Sequence, residues 1–226
     1  MKFLTFSFDD GNEDDVRLVE IMNRYGLKGT FNLNSGSLTK ASVWKYCGEK
    51  DVRHLNFYEY PNLYDGHEIA GHTYTHPHLE LLDRKTLDNQ IRLDKKLLKF
   101  LYGREIRGMA YPYGTYNEEV VEVLAENGME YSRTVKATHG FDLPDVPLTW
   151  HPTCHFREKE IYHLAERFFK CLDEKDMLFY IWGHSYELVT EEDWTWFEDF
   201  CAFISNRPDV HYCTNIEVLD SMTGGR

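Results

Sequence analysis

Strand-like and helix-like segments alternate along almost the whole chain, and its polar clusters fall directly after the strand-like ones. Lys2 to Phe8 alternates apolar or aromatic with small or polar residues, a period near two that predicts a β-strand. Val16, Leu18, Val19, Ile21, Met22 and Tyr25 then form the apolar side of a helix closed by Gly26. Further strands are expected over residues 29–34, 68–72, 108–111, 131–135, 177–182 and 210–213. Helices are expected over 83–102, 118–127, 158–172 and 191–206, with a short one at 57–64. Strand then helix, repeated, specifies a parallel sheet covered by helices. In a β/α barrel the positions after the strands share one face, where active sites form. The expectation is an α/β chain folded as a deformed, incomplete (β/α)7-type barrel with its site at the C-terminal ends of the strands. At 226 residues it fits a single catalytic domain over 1–226, with an irregular excursion at about 35–56 that borders the site.

A net charge of −13 disfavours nucleic acid and anionic membrane as partners. No window is long and apolar enough to span a membrane. No basic segment and apolar stretch precede the first strand, so a cytoplasmic location is expected. Five scattered cysteines, an odd number, fit reduced thiols rather than a disulfide framework. The glycine-rich loops that cradle nucleotide phosphates are missing.

Asp9 and Asp10 end the first strand, followed by Gly11. Adjacent carboxylates repel, which raises one pKa unless a cation neutralises them. A metal ion resolves the conflict by taking one carboxylate and leaving the other free as a base; the bland alternative is an acidic turn capping the next helix. His72 and His76 follow another strand, between Gly71 and Pro77, on a tight turn. Two imidazoles and one carboxylate make a three-ligand zinc set with an open position, and also suit Fe(II) and other divalent ions.

The segments Thr5–Gly11, Gly66–His76, Tyr111–Gly114 and Trp182–Ser185 occur in the order seen in polysaccharide deacetylases. The chain resembles that family, also called NodB-homology or carbohydrate esterase family 4, from Phe3 to about Tyr186. The resemblance implies that Asp9 is the catalytic base and that Asp10, His72 and His76 hold a divalent metal, Zn2+ first, with Co2+, Ni2+ or Fe2+ as other choices. It implies that Tyr111, Pro112 and Tyr113 wall the groove, with the Tyr113 main-chain N–H on the oxyanion, and that His184 is the catalytic acid. The substrate it implies is a carbohydrate or another small amide, most simply an N-acetylated amino sugar. A small cyclic amide, ureide or imide is the second choice, and a non-catalytic sugar binder on the same scaffold the third.

There are departures. The family often carries arginine where Ala110 stands; Arg107 or Arg133 takes its place, with Arg133, at a predicted strand end, favoured as the base-orienting residue. The family's Asp-x-x-Asp-Trp motif has no clear match, because Asp142-Leu143-Pro144-Asp145 lacks the tryptophan. Trp150 is expected to face sugar from a groove wall, in preference to a second metal site of His151, Cys154 and His155. Trp44, Trp182 and Trp194 are further stacking candidates, each better suited to the core than to a sugar platform.

Overall fold

The computed structural model describes residues 1–40, 42–172 and 175–224. Its centre is β1, Lys2–Asp9, buried along almost its full length. The chain then runs α1 (Asp15–Arg24), β2 (Gly29–Leu33), a hairpin of β3 (Val43–Tyr46) and β4 (Lys50–Arg53), β5 (Glu68–Gly71), α2 (Arg84–Tyr102), β6 (Gly108–Ala110), α3 (Glu118–Glu126) and β7 (Tyr131–Arg133). It continues through β8 (Cys154–His155), α4 (Ile161–Lys170), β9 (Met177–Gly183), α5 (Glu191–Ile204), β10 (Val210–Tyr212) and α6 (Asn215–Met222).

The main sheet has the order β7-β6-β5-β2-β1-β9-β8. Every pairing in it is parallel. β10 lies beside Lys2–Leu4 and β2 beside Phe6–Asp9, on the same edge of β1. The seven-strand path curls into an incomplete barrel, as expected from the alternation. Residues 150–155 join its two ends. Trp150 bridges to Arg133 on β7, while Cys154 and His155 pair with Ile181 and Trp182 on β9.

The helix faces obey their apolar stripes. In α2 Leu87, Ile91 and Leu98 are buried, Asp83 caps the N-terminus, and Gly103 ends the helix at φ 65°. The core between sheet and helices contains Phe6, Phe8, Phe31, Phe156 and Phe197. The barrel interior holds a second cluster of Phe3, Tyr131, Trp150, Leu178 and Tyr180. Polar groups share that interior: Tyr180 Oη accepts from Asn215 at 2.7 Å, and Tyr131 Oη donates to Glu68 at 2.8 Å.

Some expectations need correction. Residues 57–64 form turns rather than a helix. The excursion at 35–56 contains the antiparallel β3–β4 hairpin, which buries its own Val52. The helix expected over 158–172 is the shorter α4. α6, unforeseen, starts on a capping box of Thr214 and Glu217. The five cysteines are free, and no helix among the described residues is long and apolar enough to cross a membrane.

Candidate active site and metal centre

The strand ends deliver two carboxylates to two different environments. Asp9, the last residue of β1, is buried inside the mouth. One oxygen accepts from Asn32 Nδ2 at 2.8 Å; the other accepts from Arg133 Nη2. Burial alone would raise the Asp9 carboxyl, but Arg133, His72 and His184 outweigh it and hold it below the usual range. Asp10 leaves the strand at φ 79°, an uncommon conformation for a residue with a side chain, and turns the other way. Its Oδ1 lies 3.6 Å from both His72 Nε2 and His76 Nε2. Its Oδ2 accepts from Tyr186 Oη at 3.2 Å.

The donors of Asp10, His72 and His76 converge within 4.8 Å of one another. They fit a divalent metal on three further grounds. His72 donates Nδ1–H to Ala110 O at 2.8 Å, which leaves Nε2 free as a ligand atom. His76 is held down to about 4, by burial first and by neighbouring His72, so it stays neutral as a ligand must. Asp10, Thr73 and His76 all adopt positive φ, so the donor set is built on a strained turn.

Beneath it lies Asp94 of α2, which sequence reasoning missed. Its carboxyl accepts from Ser35 N–H at 2.9 Å and His72 N–H at 3.1 Å, tying the ends of β2 and β5 together. Burial pushes it up to about 7. Gly71 leaves the space, because a Cβ there would sit 3.0 Å from Asp94 Oδ2.

Opposite stands His184, just beyond β9. Its Nε2 is 3.9 Å from Asp9 Oδ2 and from Asp10 Oδ2. Its Nδ1 lies 2.9 Å from Glu187 Oε1. Burial lowers this histidine, but Glu187, Asp9 and Asp10 together raise it. Burial opposes ionisation of Glu187 too, yet His155 and His184 pull it down to about 2. Glu187 is therefore the acid behind His184, in a place the sequence motifs did not indicate.

Arg133 is the cation paired with Asp9. It is fully buried, donates Nη1–H to Thr134 O at 3.1 Å, and its guanidinium lies 4.5 Å from the centre of the Trp182 ring. Arg107 is elsewhere, paired with Glu130 and Asp220.

The groove residues divide. Tyr113, at φ 58°, faces the cleft and stacks on His78 at 3.9 Å. Tyr111 does not: it is buried, its hydroxyl donating to Leu148 O at 2.7 Å. Pro112 is buried as well. Trp150, expected to face sugar, packs inside the barrel 5.0 Å from Tyr180 and 5.7 Å from Tyr131, because its bridge to β7 turns it inward. His151 bonds to Thr134 Oγ1 and Cys154 is buried, so neither joins His155 in a metal site. Trp182 lies under Arg133, and Trp194 is buried beneath Arg17. Trp44 alone of these tryptophans lines the cleft, with Asn34, Ser37, His54 and Tyr186; the cleft holds about 440 Å³.

A sequence model of the polysaccharide deacetylases matches residues 1–132, more than half the chain. The chain belongs to the polysaccharide deacetylase family. The match includes Asp9, Asp10, His72 and His76, and ends just before Arg133. A chitooligosaccharide deacetylase from Azorhizobium caulinodans is 31% identical over 131 residues, 54% of this chain and 53% of its own. A chitin deacetylase from Arthroderma benhamiae is 29% identical over 125 residues, 54% of this chain and 31% of its own. The chain thus spans about half, or less, of the length of these curated relatives. Among solved structures, a peptidoglycan deacetylase from Bacillus subtilis superposes with a TM-score of 0.59 at 15% identity, covering 99% of this chain and 92% of the other. A CE4 family pseudoenzyme from Bacillus anthracis gives 0.56 at 19%, covering 97% and 65%. At such identities the likeness concerns the fold.

Proposed function

We propose that the chain is a metal-dependent hydrolase that removes the N-acetyl group from an N-acetylated amino sugar or short oligosaccharide, releasing acetate and a free amine. The observation that carries this is the separation of Asp9 from Asp10. One carboxylate is held ionised by a buried arginine, and its neighbour converges with two imidazoles. A mere acidic turn would need neither.

Asp10 Oδ1, His72 Nε2 and His76 Nε2 would hold the metal, with zinc as the first choice for two nitrogens and one oxygen. When bound, it supplies the Lewis acidity that polarises the amide carbonyl and makes water a better nucleophile. Asp9, fixed by Arg133 and Asn32, accepts the proton of the attacking water. His184 Nε2 delivers a proton to the nitrogen as the C–N bond breaks, since an unprotonated amine is a poor leaving group. The Tyr113 main-chain N–H serves the oxyanion. At about 440 Å³ the cleft lies in the range of small-molecule sites, which suits a single sugar unit or a short oligosaccharide end. Trp44 and Tyr113 offer it aromatic faces.

The test is acetate release from N-acetylglucosamine and its oligomers up to the hexamer, after chelation and after restoring zinc, cobalt or iron. Metal-restored release is expected. No release from protein that has rebound metal would reject the substrate class and turn attention to cyclic amides.

A further inference from the structure

His155 takes no part in the scheme above, yet it reaches the same turn. It ends β8, opposite Trp182 in the parallel ladder. Its Nδ1 accepts the backbone N–H of Arg157 at 3.2 Å. A neutral imidazole that accepts at Nδ1 carries its proton on Nε2. That Nε2 lies 3.1 Å from Glu187 Oε2, while Glu187 Oε1 lies 2.9 Å from His184 Nδ1. An ionised carboxylate only accepts, so His184 donates Nδ1–H to Oε1, while the protonated Nε2 of His155 sits against Oε2 as a close charge contact, off the line of a hydrogen bond. His184 is left with its Nε2 toward Asp9 and Asp10. The surroundings hold His155 in place. The Trp182 ring meets it edgewise at 4.7 Å, and a Cβ on Gly183 would come within 3.2 Å of its Nε2.

We infer that His155 is a positioning residue: by its close contact with Glu187 Oε2 it fixes the plane of that carboxylate, which in turn keeps the Nδ1 proton of His184 on Glu187, so that Nε2, aimed into the site, is the nitrogen that takes up and gives out the second proton. A carboxylate with a single partner can turn about its terminal torsion, which is broad and soft; a close charge contact on the other oxygen restricts that turning. The assignment rests on His184 acting as the proton donor proposed above.

His155, His184 and Glu187 also lie close enough together to hold a metal ion. The tautomer argues against it. A ligating histidine donates its second nitrogen to an acceptor, as His72 does to Ala110 O. The second nitrogen of His155 instead faces an N–H donor.

The experiment uses zinc-loaded protein and the N-acetylglucosamine tetramer. His155→Ala is expected to lower kcat about tenfold with KM within about twofold. His155→Gln, whose amide can donate to Glu187, is expected to recover kcat to within about threefold of the parent. In a Glu187→Gln background, His155→Ala should add little, because its route of action is already gone. Nitrogen-15 NMR of the His184 ring, recorded at a pH where the ring is neutral, reads the tautomer without turnover: one form, protonated at Nδ1, in the parent and a mixture in His155→Ala. Unchanged kcat, an unchanged His184 tautomer, or equal and additive losses in the Ala and Gln variants would overturn the inference. If the parent releases no acetate from any oligomer, the proposed substrate fails, and the NMR comparison alone still decides the role of His155.

Discussion

Replacing Arg133 by methionine isolates its charge while keeping most of its volume. Arg133 is fully buried and Asp9 nearly so, and the two share a hydrogen-bonded ion pair. Removing one partner of a buried pair typically costs about 3–5 kcal/mol, because the remaining charge keeps its desolvation penalty. Arg133 also gives up its bond to Thr134 O and its stacking on Trp182. For a chain of this size 1 kcal/mol corresponds to roughly 2–4 °C, so Tm should fall by about 6 °C or more. Loss of base orientation is a separate effect; a displacement of about 1 Å at a reacting group costs roughly 10²-fold. Arg133→Met should therefore lose at least about a hundredfold in kcat while still binding metal, since Arg133 touches none of the proposed ligands. Arg133→Lys should recover part of the Tm but little of the rate, because a lysine lacks the planar fork that reaches both Asp9 and Thr134. The assays are thermal unfolding, metal content and acetate release on the same preparations. A methionine variant with kcat within threefold of the parent and an unshifted Tm would refute the reasoning.

Two further outcomes follow from the site and its surroundings. His72→Ala should lose most bound metal at sub-micromolar zinc, read by elemental analysis after dialysis; full occupancy would remove His72 from the ligand set. Asp15, wholly buried, accepts from Ser185 Oγ and Tyr64 Oη, and burial pushes its carboxyl from 3.8 to about 7. The unfolded chain releases this proton first as pH rises, so the stability this group provides is full below about pH 4 and is lost by about pH 7, a change of up to roughly 4 kcal/mol. Asp15→Asn should flatten that slope, gaining on the parent in urea midpoint between pH 5 and pH 8; an identical gap at both pH values would count against it.

The parts of the site that sequence revealed are those carried by short local patterns. β1 shows a period of two over seven residues, and its two aspartates follow at once. His72 and His76 sit within one turn of each other. Other residues become functional only when distant segments meet. Trp150 points inward because residues 150–155 close the barrel, a pairing that no local pattern encodes. Arg133 was favoured for its place at a strand end, but its contact with Asp9 spans 124 residues and depends on the curl of the sheet. Asp94 looks like an ordinary polar position on α2 until the ends of β2 and β5 are placed above it. Other features are local in the sequence. Glu187 stands three residues after His184, close enough for one tight turn to pair them. The β3–β4 hairpin alternates exposed and half-buried residues around Cys47 and Gly48, both at positive φ. Thr214 and Glu217 spell out a capping box.

The central claim is that two neighbouring carboxylates divide the work, Asp10 holding a metal and Asp9 moving a proton. The most direct measurement is zinc content and acetate release, side by side, for the parent and Asp9→Asn after chelation and zinc restoration. The account predicts about one zinc in each protein, release by the parent that disappears with chelation and returns with zinc, and release by Asp9→Asn that is lost although its zinc remains. Undiminished release by Asp9→Asn, or release from the parent that chelation leaves untouched, would contradict it.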